Sequence, residues 1–356
     1  MNSTAQANPV AAPAPGPVMV DIEGLHLQAH ERERLRHPLV GGVILFARNF
    51  ADRAQLQALC ADIHGACTPP LLIAADQEGG RVQRFRSDGF TPLPSMAALG
   101  RLWDAHPARA LGVAADLGLV LASELRACGV DLSFAPVLDL AWGPSQVIGD
   151  RALHAGAPAV LALATALIQG FAQAGLAACG KHFPGHGWAA ADSHHEMPVD
   201  ERSLERILAD DVLPYRLLGD ALLPAVMPAH VVYPEVDALP AGFSPVWIQE
   251  VLRTRLEYDG LVFSDDLTME AASVAGDIHA RAQAALQAGC DMVLVCNRPD
   301  LADQLLAQLS VSSRPESRAR LRRLMPQGTA MSWEVLHDDG RYQHARERLR
   351  SKKLSG

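Results

Sequence analysis

Short apolar runs recur along the chain at nearly even spacing, and each run ends in glycine or in polar residues. Runs of this length bounded by turn residues are typical of buried strands, and the segments between them carry apolar residues at helical spacing. The candidate strands are Val18–Asp21, Val43–Phe46, Leu71–Ala75, Leu132–Val137, Ala177–Cys179, Ala225–Met227, Leu261–Phe263 and Met292–Val295. The candidate helices are Arg53–His64, Ala108–Arg126, Pro158–Gln173, Ser203–Leu218, Pro245–Leu256 and Ile278–Ala288.

This alternation of strands and helices predicts the fold class. Eight units with near-continuous apolar strands fit a closed (β/α)8 TIM barrel, which is an α/β fold with a parallel sheet. An open doubly wound sheet is the alternative, but no G-x-G-x-x-G follows the first strand. We therefore predict a disordered, uncharged N-terminal extension over residues 1–17 and one barrel domain over residues 18–356. The domain includes a surface helix at Trp333–Lys353.

Charge and hydropathy exclude two classes of partner. The formal net charge of -9 argues against a general nucleic-acid binder, and we interpret the basic segment after Arg314 as a solvated helix rather than an RNA-binding tail. Residues 155–180 carry no charge and are numerous enough to span a membrane. Proline, glycine and glutamine interrupt that stretch, so we predict a buried helix followed by a strand, and no membrane partner.

The cysteines indicate a reducing compartment. None of the six forms a C-x-x-C pair, and a chain this long does not need a disulfide framework. The N-terminus lacks the basic and continuous apolar regions of a signal peptide. We therefore expect a cytoplasmic protein, and we expect it to act as a monomer. The cysteines are Cys60, Cys67, Cys128, Cys179, Cys290 and Cys296.

Ionisable residues follow nearly every candidate strand, which is where a barrel places its chemistry. Asp265 and Asp266 end the seventh strand, and a carboxylate fixed there can act as a nucleophile, a general base or a metal ligand. We favour Asp265 for the chemistry. Asp266 then caps the following helix or supports its neighbour.

The segment after the fifth strand is the second candidate for chemistry. Lys181–Gly187 contains too much glycine and proline for a helix, so we predict a loop, with Gly185 and Gly187 as hinges. Asp192 and His194 are two residues apart and share a side in extended backbone. A carboxylate bonded to one imidazole nitrogen fixes the tautomer and frees the other nitrogen for proton transfer.

Cations and carboxylates around the predicted mouth suit a ligand rich in hydroxyl groups. Asp76 would be a costly unpaired acid, so we expect an arginine partner or a bound ligand for it, and we expect Arg81 to pair with Glu78. The cations expected around the mouth together with Asp76 are Arg84, Arg151 and Lys181.

A metal site is the competing interpretation. Histidines and one aspartate could form a zinc or binuclear hydrolase site, but the chain has no H-x-H after its first strand and no H-E-x-x-H. A lysine beside His182 is also a poor neighbour for a cation. We therefore predict no metal and no cofactor. The residues of this alternative are His182, His186, His194, His230 and Asp265.

Several blocks, in the same order, resemble the glycoside hydrolase family 3 β-N-acetylglucosaminidases of bacterial cell-wall recycling. The resemblance implies that Asp265 is the nucleophile and that His194, oriented by Asp192, is the general acid/base. It implies that N-acetylglucosamine is held by Asp76, Arg84, Arg151, Lys181 and His182. The blocks are Gly41–Phe46, Asp76–Arg84, Ser133–Asp139, Lys181–Gly187, Asp192–His194, Met227–His230 and Phe263–Leu267.

The same resemblance implies a substrate. The enzyme would release non-reducing terminal β-1,4-linked N-acetylglucosamine from anhydro-muropeptides with retention, through a glycosyl-aspartate intermediate. A broader family 3 glycosidase and a phosphorylase that releases sugar 1-phosphate stay open as alternatives. A catalytically inactive sugar-binding barrel is the alternative outside enzymology.

Overall fold

The predicted strands pair side by side in parallel around a barrel. We describe it from a computed structural model that covers residues 15–143, 145–191, 197–311 and 314–350. The barrel order is β1-β2-β3-β6-β7-β8-β11-β12 and back to β1, and short antiparallel hairpins pair β4 with β5 and β9 with β10. The strands are β1 (Val18–Asp21), β2 (Val40–Leu45), β3 (Leu72–Ala75), β4 (Gln77–Gly79), β5 (Val82–Gln83), β6 (Leu132–Ser133), β7 (Cys179–Phe183), β8 (Ala225–Pro228), β9 (Val232–Tyr233), β10 (Asp237–Pro240), β11 (Leu261–Asp266) and β12 (Met292–Val295).

Between β6 and β7 the pairing is reduced to isolated parallel bridges, from Leu132 to Ala177 and from Val137 to Lys181, so the barrel is nearly closed. This confirms the predicted (β/α)8 architecture. The α-helices around it are α1 (Ala29–Leu35), α2 (Arg53–His64), α3 (Met96–Ala105), α4 (Pro107–Ala127), α5 (Ala157–Gln173), α6 (Leu204–Ala209), α7 (Leu213–Leu222), α8 (Ile278–Ala288), α9 (Pro299–Gln308), α10 (Pro315–Leu324), α11 (Trp333–Asp338) and α12 (Gly340–Arg350). A π-helical segment, Val246–Arg255, lies between β10 and β11.

Two elements differ from the prediction in a way that matters for the site. β7 begins at Cys179 and runs to Phe183, so the start of the predicted loop belongs to a strand. β11 continues through Asp266, three residues beyond the predicted end. Polar residues extend both strands because their side chains reach partners at the mouth, which an apolar-run criterion cannot detect.

Helix boundaries also differ. The predicted helix over 203–218 is divided into α6 and α7, and Pro214 lies in the first turn of α7, where its missing N–H is tolerated. The predicted C-terminal helix is divided into α11 and α12. The buried helix and following strand predicted over 155–180 are confirmed as α5 and β7. Among the described helices, none is long and apolar enough to span a membrane.

Side-chain alternation separates the core into two layers. In β3, Leu72 and Ala74 belong to the cluster inside the barrel, whereas Ile73 and Ala75 face the surrounding helices. The next inward position after β3 is Asp76, which is thereby directed into the mouth.

Helix α10 covers the opposite, amino-terminal end of the barrel. Leu321 and Leu324 join the inner cluster, and the buried Asp291, just before β12, accepts hydrogen bonds from Ser317 and Arg320 of this helix. Gly16 donates its N–H to the Val40 carbonyl at the same end. Most of the predicted N-terminal extension lies outside the described residues, and the predicted domain division stays a prediction.

Candidate active site

A cavity of about 390 Å³ opens at the carboxyl end of the barrel strands. A pocket of this size at this face is the usual position of a small-molecule site in a barrel. Asp192 and His194 lie outside the described residues. The cavity wall includes the other predicted site residues, which are Asp76, Arg84, Arg151, Lys181, His182 and Asp265.

One side of the cavity is a continuous chain of ion pairs. The Asp76 carboxylate accepts from Arg84 Nη2 and from Lys181 Nζ, both at 2.8 Å. Lys181 Nζ also lies 2.7 Å from Glu78 Oε1, and Arg151 binds Glu78 through two hydrogen bonds of 2.8 and 2.9 Å. The expected arginine partner of Asp76 is therefore Arg84.

This chain keeps both acids ionised. Burial alone would raise the pKa of the Glu78 carboxyl, but the Lys181 and Arg151 cations outweigh it and lower that pKa to about 2. The pKa of Asp76 is also far below its ordinary value, because Lys181 and Arg84 outweigh its burial. Alternating fixed charges of this kind can form hydrogen bonds with sugar hydroxyls from several directions.

The expected pair between Arg81 and Glu78 is wrong. Arg81 binds Asp150 at 3.1 Å, and Glu78 is instead the shared partner of Lys181 and Arg151. The chain turns between the two residues at Gly79 and Gly80, whose φ angles of 124° and 55° favour glycine. The turn directs Arg81 toward solvent and leaves Glu78 buried inside, so our sequence reasoning missed its role.

Asp139 is a second residue that the sequence reasoning passed over. Its carboxylate lies 2.7 Å from His182 Nδ1 and accepts the backbone N–H of His186 at 2.7 Å. The buried Asp139 is ionised, because His182 and these donors outweigh burial and lower its pKa. The contact holds the His182 ring by one nitrogen and leaves the other for a ligand. Its position directly after the fourth candidate strand was the available signal.

Asp265 reaches the cavity from the end of β11. Leu261 and Phe263 face the inner core, and Asp265 continues that alternation. A register shift between Phe263 and Asp266 brings the second aspartate to the cavity wall as well. The Asp266 N–H donates to Asp265 Oδ1 at 2.8 Å.

The surroundings of Asp265 favour its charged form. Burial raises the pKa of this carboxyl, but His230, His182 and the Asp266 N–H together hold it below the ordinary value. An anion fixed at the floor of a cavity can act as a nucleophile or as a base. Asp266 bonds to Thr268 N–H at 2.9 Å rather than capping a following α-helix.

The histidines of the metal interpretation occupy different positions. His182 and His186 line the cavity, and His230 lies behind β11, where its ring stacks on Phe243 and Nε2 lies 3.2 Å from the Asp266 carbonyl. His194 lies outside the described residues. Among the described residues, the cluster with metal-ligand spacing is Glu23, His30 and Glu31, none of which lines this cavity.

The two glycines predicted as hinges lie where a side chain would not fit. A Cβ on Gly187 would lie 1.9 Å from the Leu140 carbonyl oxygen, and one on Gly185 would lie 2.7 Å from Asp211 Oδ1. Both positions are closely packed in this structure, and their role as hinges stays a prediction.

Arg202 contacts two tryptophan rings, and one of these tryptophans, Trp188, lies just after β7. The Arg202 guanidinium lies 5.1 Å from the Trp142 ring and 4.8 Å from the Trp188 ring. It also binds the buried carboxylates Asp200 and Asp211 at 2.7 Å each.

A family model described as the N-terminal domain of glycosyl hydrolase family 3 matches residues 16–325. The chain belongs to glycosyl hydrolase family 3. It is 65% identical over 356 residues, all of both chains, to a protein of Bordetella parapertussis named Beta-hexosaminidase. It is 57% identical over 331 residues to the Beta-hexosaminidase of Thiobacillus denitrificans, which covers 93% of this chain and 92% of that one.

A solved family 3 structure has the same fold. The NagZ of Neisseria gonorrhoeae, in complex with N-trifluoroacetyl-D-glucosamine, superposes with a TM-score of 0.91 at 45% identity and covers 98% of this chain and 100% of its own. The family identifies the chain as a glycosidase, in agreement with the sequence resemblance.

Proposed function

We propose that the protein is a retaining β-N-acetylglucosaminidase. The observation that carries the proposal is that the Asp265 carboxylate lines the same cavity as the ion-pair chain of Asp76, Glu78, Lys181, Arg84 and Arg151. Full-length relatives carry the name Beta-hexosaminidase, and a similar solved protein binds an N-acylated glucosamine. The substrate would be a non-reducing terminal β-1,4-linked N-acetylglucosamine on an anhydro-muropeptide, released during cell-wall recycling.

The first step would join the sugar to the enzyme. Asp265 attacks the anomeric carbon and the glycosidic C–O bond breaks. His194 donates a proton to the leaving oxygen, while Asp192 orients its imidazole. In the second step His194 takes a proton from water, which attacks the anomeric carbon and releases the sugar and Asp265. An imidazole with an ordinary pKa of about 6.5 can serve both steps near neutral pH.

The ion-pair chain would hold the sugar. Arg84 lies on the cavity wall with its side chain 28% exposed, so guanidinium N–H groups that Asp76 does not bind are available for a hydroxyl. Lys181 and Arg151 are fixed by the acids that they pair with, which leaves little rotational freedom to lose on binding. His182, held by Asp139, presents its second nitrogen.

Replacing the nucleophile tests this proposal most directly. We expect Asp265→Ala to lower kcat for an aryl β-N-acetylglucosaminide by about three orders of magnitude or more, since the covalent step is lost. Asp150→Ala, which removes an exposed carboxylate at the rim, is the matched control and is expected to retain most activity. Near-normal hydrolysis by Asp265→Ala would contradict the assignment.

The general acid is tested by the leaving group. We expect His194→Ala to lose far more rate on alkyl glycosides than on nitrophenyl glycosides, because a good leaving group does not need a proton. Equal losses on both substrates would contradict the role of His194.

Product analysis with and without inorganic phosphate tests the remaining chemistry. We expect free N-acetylglucosamine under both conditions, whereas sugar 1-phosphate would identify a phosphorylase. Comparable cleavage of an aryl glucoside would indicate a broader glycosidase.

All six cysteines are free, which supports the proposed reducing cytoplasm.

A further inference from the structure

The hydroxyl of Thr268 lies between two oxygen acceptors beside the nucleophile. Its Oγ1 is 2.8 Å from Asp266 Oδ2 and 3.0 Å from the carbonyl oxygen of Cys296. A hydroxyl has one proton to donate, and a backbone carbonyl can only accept. Both contacts can be hydrogen bonds at once only if Asp266 supplies the second proton.

The other oxygen of Asp266 is already occupied by donors. Oδ1 accepts the Thr268 N–H at 2.9 Å and the Cys296 N–H at 3.2 Å. A proton on this carboxyl therefore belongs on Oδ2, from which it can be donated to Thr268 Oγ1. Thr268 then donates its own proton to the Cys296 carbonyl, and every contact of the group is satisfied.

We propose that Asp266 is held as a neutral carboxylic acid and acts as a positioning residue for the neighbouring nucleophile. The proposal rests on the proposed function, in which Asp265 is the attacking group. The Asp266 backbone carries the positioning effect. Its N–H donates to Asp265 Oδ1 at 2.8 Å, and its carbonyl lies 3.2 Å from His230 Nε2.

The charges around Asp266 agree with a neutral acid. Burial, helped by the neighbouring Asp265 carboxylate, raises its pKa to about 7, and the donors that oppose this shift are the neutral groups of Thr268 and Cys296. The titratable or charged groups around Asp266 and its two neighbours, Asp265 and Cys296, come from several elements. They are His230 after β8, Arg281 on α8, Asp21 at the end of β1, which pairs with Arg48, Asp76 after β3, and Lys181 and His182 on β7.

Neutrality of Asp266 confines the negative charge of the pair to Asp265. When Asp266 loses its proton, Thr268 must turn its hydroxyl toward the new anion, and the Cys296 carbonyl loses its donor. A second charge also appears next to the nucleophile. Activity is then expected to fall as the pH rises through the pKa of Asp266.

Asparagine is the sharpest test, because its amide reproduces a neutral carboxylic acid. In Asp266→Asn the amide oxygen can accept from Thr268 and Cys296, and the NH2 group can donate to Thr268 Oγ1. We expect Asp266→Asn to keep kcat/KM within about threefold of wild type at pH 6 and Asp266→Ala to lose about tenfold or more, since buried donors lose their acceptor. Equal losses in the two variants would overturn the proposal.

The pH profile supplies a readout that a merely structural role would not move. With a pKa of about 7, the neutral fraction of Asp266 falls about tenfold between pH 6 and pH 8. The kcat/KM of Asp266→Asn divided by that of wild type should therefore rise toward about tenfold between pH 6 and pH 8. A ratio that stays constant with pH would overturn the proposal.

Two further measurements keep the proposal testable if Asp266→Ala does not fold. Thr268→Ser should retain activity and Thr268→Val should lose it, because only serine keeps the bridging hydroxyl. Carbon-13 NMR of carboxyl-labelled aspartate should show a neutral carboxyl at pH 6 in wild type that is missing in Asp266→Asn, and its absence from wild type would overturn the proposal. Full hydrolysis by Asp265→Ala would instead contradict the proposed function. The neutral carboxyl expected in the NMR spectrum of wild type does not depend on that result.

Discussion

Glu78 holds two of the cations that face the cavity, although the sequence predicted only that it pairs with Arg81. It is 3% exposed and binds Lys181 and Arg151 at 2.7 to 2.9 Å. Because the two cations also border the cavity, Glu78 fixes the geometry of the charged groups on this side of it. Breaking a buried ion pair by removing one partner is strongly destabilising, since it leaves a charge unpaired.

Glu78→Gln should therefore weaken both binding and folding. We expect KM for an aryl β-N-acetylglucosaminide to rise about tenfold or more and the melting temperature to fall, because Arg151 loses its carboxylate partner. Steady-state kinetics and circular dichroism measure the two effects. Asp150→Asn, on an exposed pair with Arg81, is the control, and an equal effect in both variants would contradict the role of Glu78.

The same residue predicts an acid-sensitive stability. The pKa of Glu78 falls from an ordinary 4.5 to about 2 in the folded chain, so its contribution is complete above about pH 4.5 and is lost as the pH falls toward 2. The difference corresponds to roughly 3 kcal/mol as an upper figure. Urea unfolding at pH 6, 4 and 3 should show a smaller acid-induced loss in Glu78→Gln than in wild type, and parallel losses would contradict it.

At the scale of elements, the residues that directly follow β7, Pro184 to Trp188, are closely packed. Gly187 lies against the backbone of Leu140, and Arg202 holds Trp142 and Trp188 together. The chain is thus anchored immediately before the stretch that carries Asp192 and His194. The position of a proton donor depends on such anchors.

Gly187→Ala should displace the backbone at the point where Gly187 packs against Leu140. A Cβ would lie 1.9 Å from the Leu140 oxygen, so the backbone has to shift, and a displacement of about 1 Å near a reacting group can lower rates about a hundredfold. We expect kcat/KM to fall by at least tenfold in steady-state assays. Gly24→Ala, where a Cβ has no heavy atom within 4 Å, is the control and should leave the rate unchanged.

The sequence predicted the centres of the strands and missed the ends that matter most. Apolar content located β7 and β11, but it could not extend them to Lys181 or Asp265, because polar residues join a strand only when tertiary partners satisfy them. Asp76 and Arg84 were identified from position and residue type. Glu78 and Asp139 were missed because their partners, Lys181 and His182, are distant in sequence.

At the scale of the whole molecule, the end of the barrel remote from the site is closed by charge as well as by apolar packing. The side chain of Asp291 is fully buried and binds Arg253 at 2.8 Å and Arg320 at 3.0 Å. These contacts join the π-helical segment and α10 to the base of β12. They lie at the amino-terminal end of the strands, away from Asp265.

Asp291→Ala should therefore separate stability from catalysis. We expect the free energy of unfolding to fall by about 3–5 kcal/mol, because two arginines lose a buried partner, while kcat/KM at 25 °C stays near wild type. Denaturant titration and kinetics test this. Asp300→Ala, whose pair with Arg298 is exposed, should leave stability nearly unchanged. A large loss of kcat/KM in folded Asp291→Ala would contradict the separation.

The hydrogen bond from Gly16 to Val40 has a practical consequence for attaching the enzyme to a surface. The chain enters the barrel at the face opposite the cavity, and β1 then runs toward the mouth. A bead or electrode linked close to Gly16 would hold the molecule by its base, with the mouth turned to the solution. Linkage through the rim, for example at Arg86, would instead turn the mouth toward the support and slow the arrival of a bulky glycan.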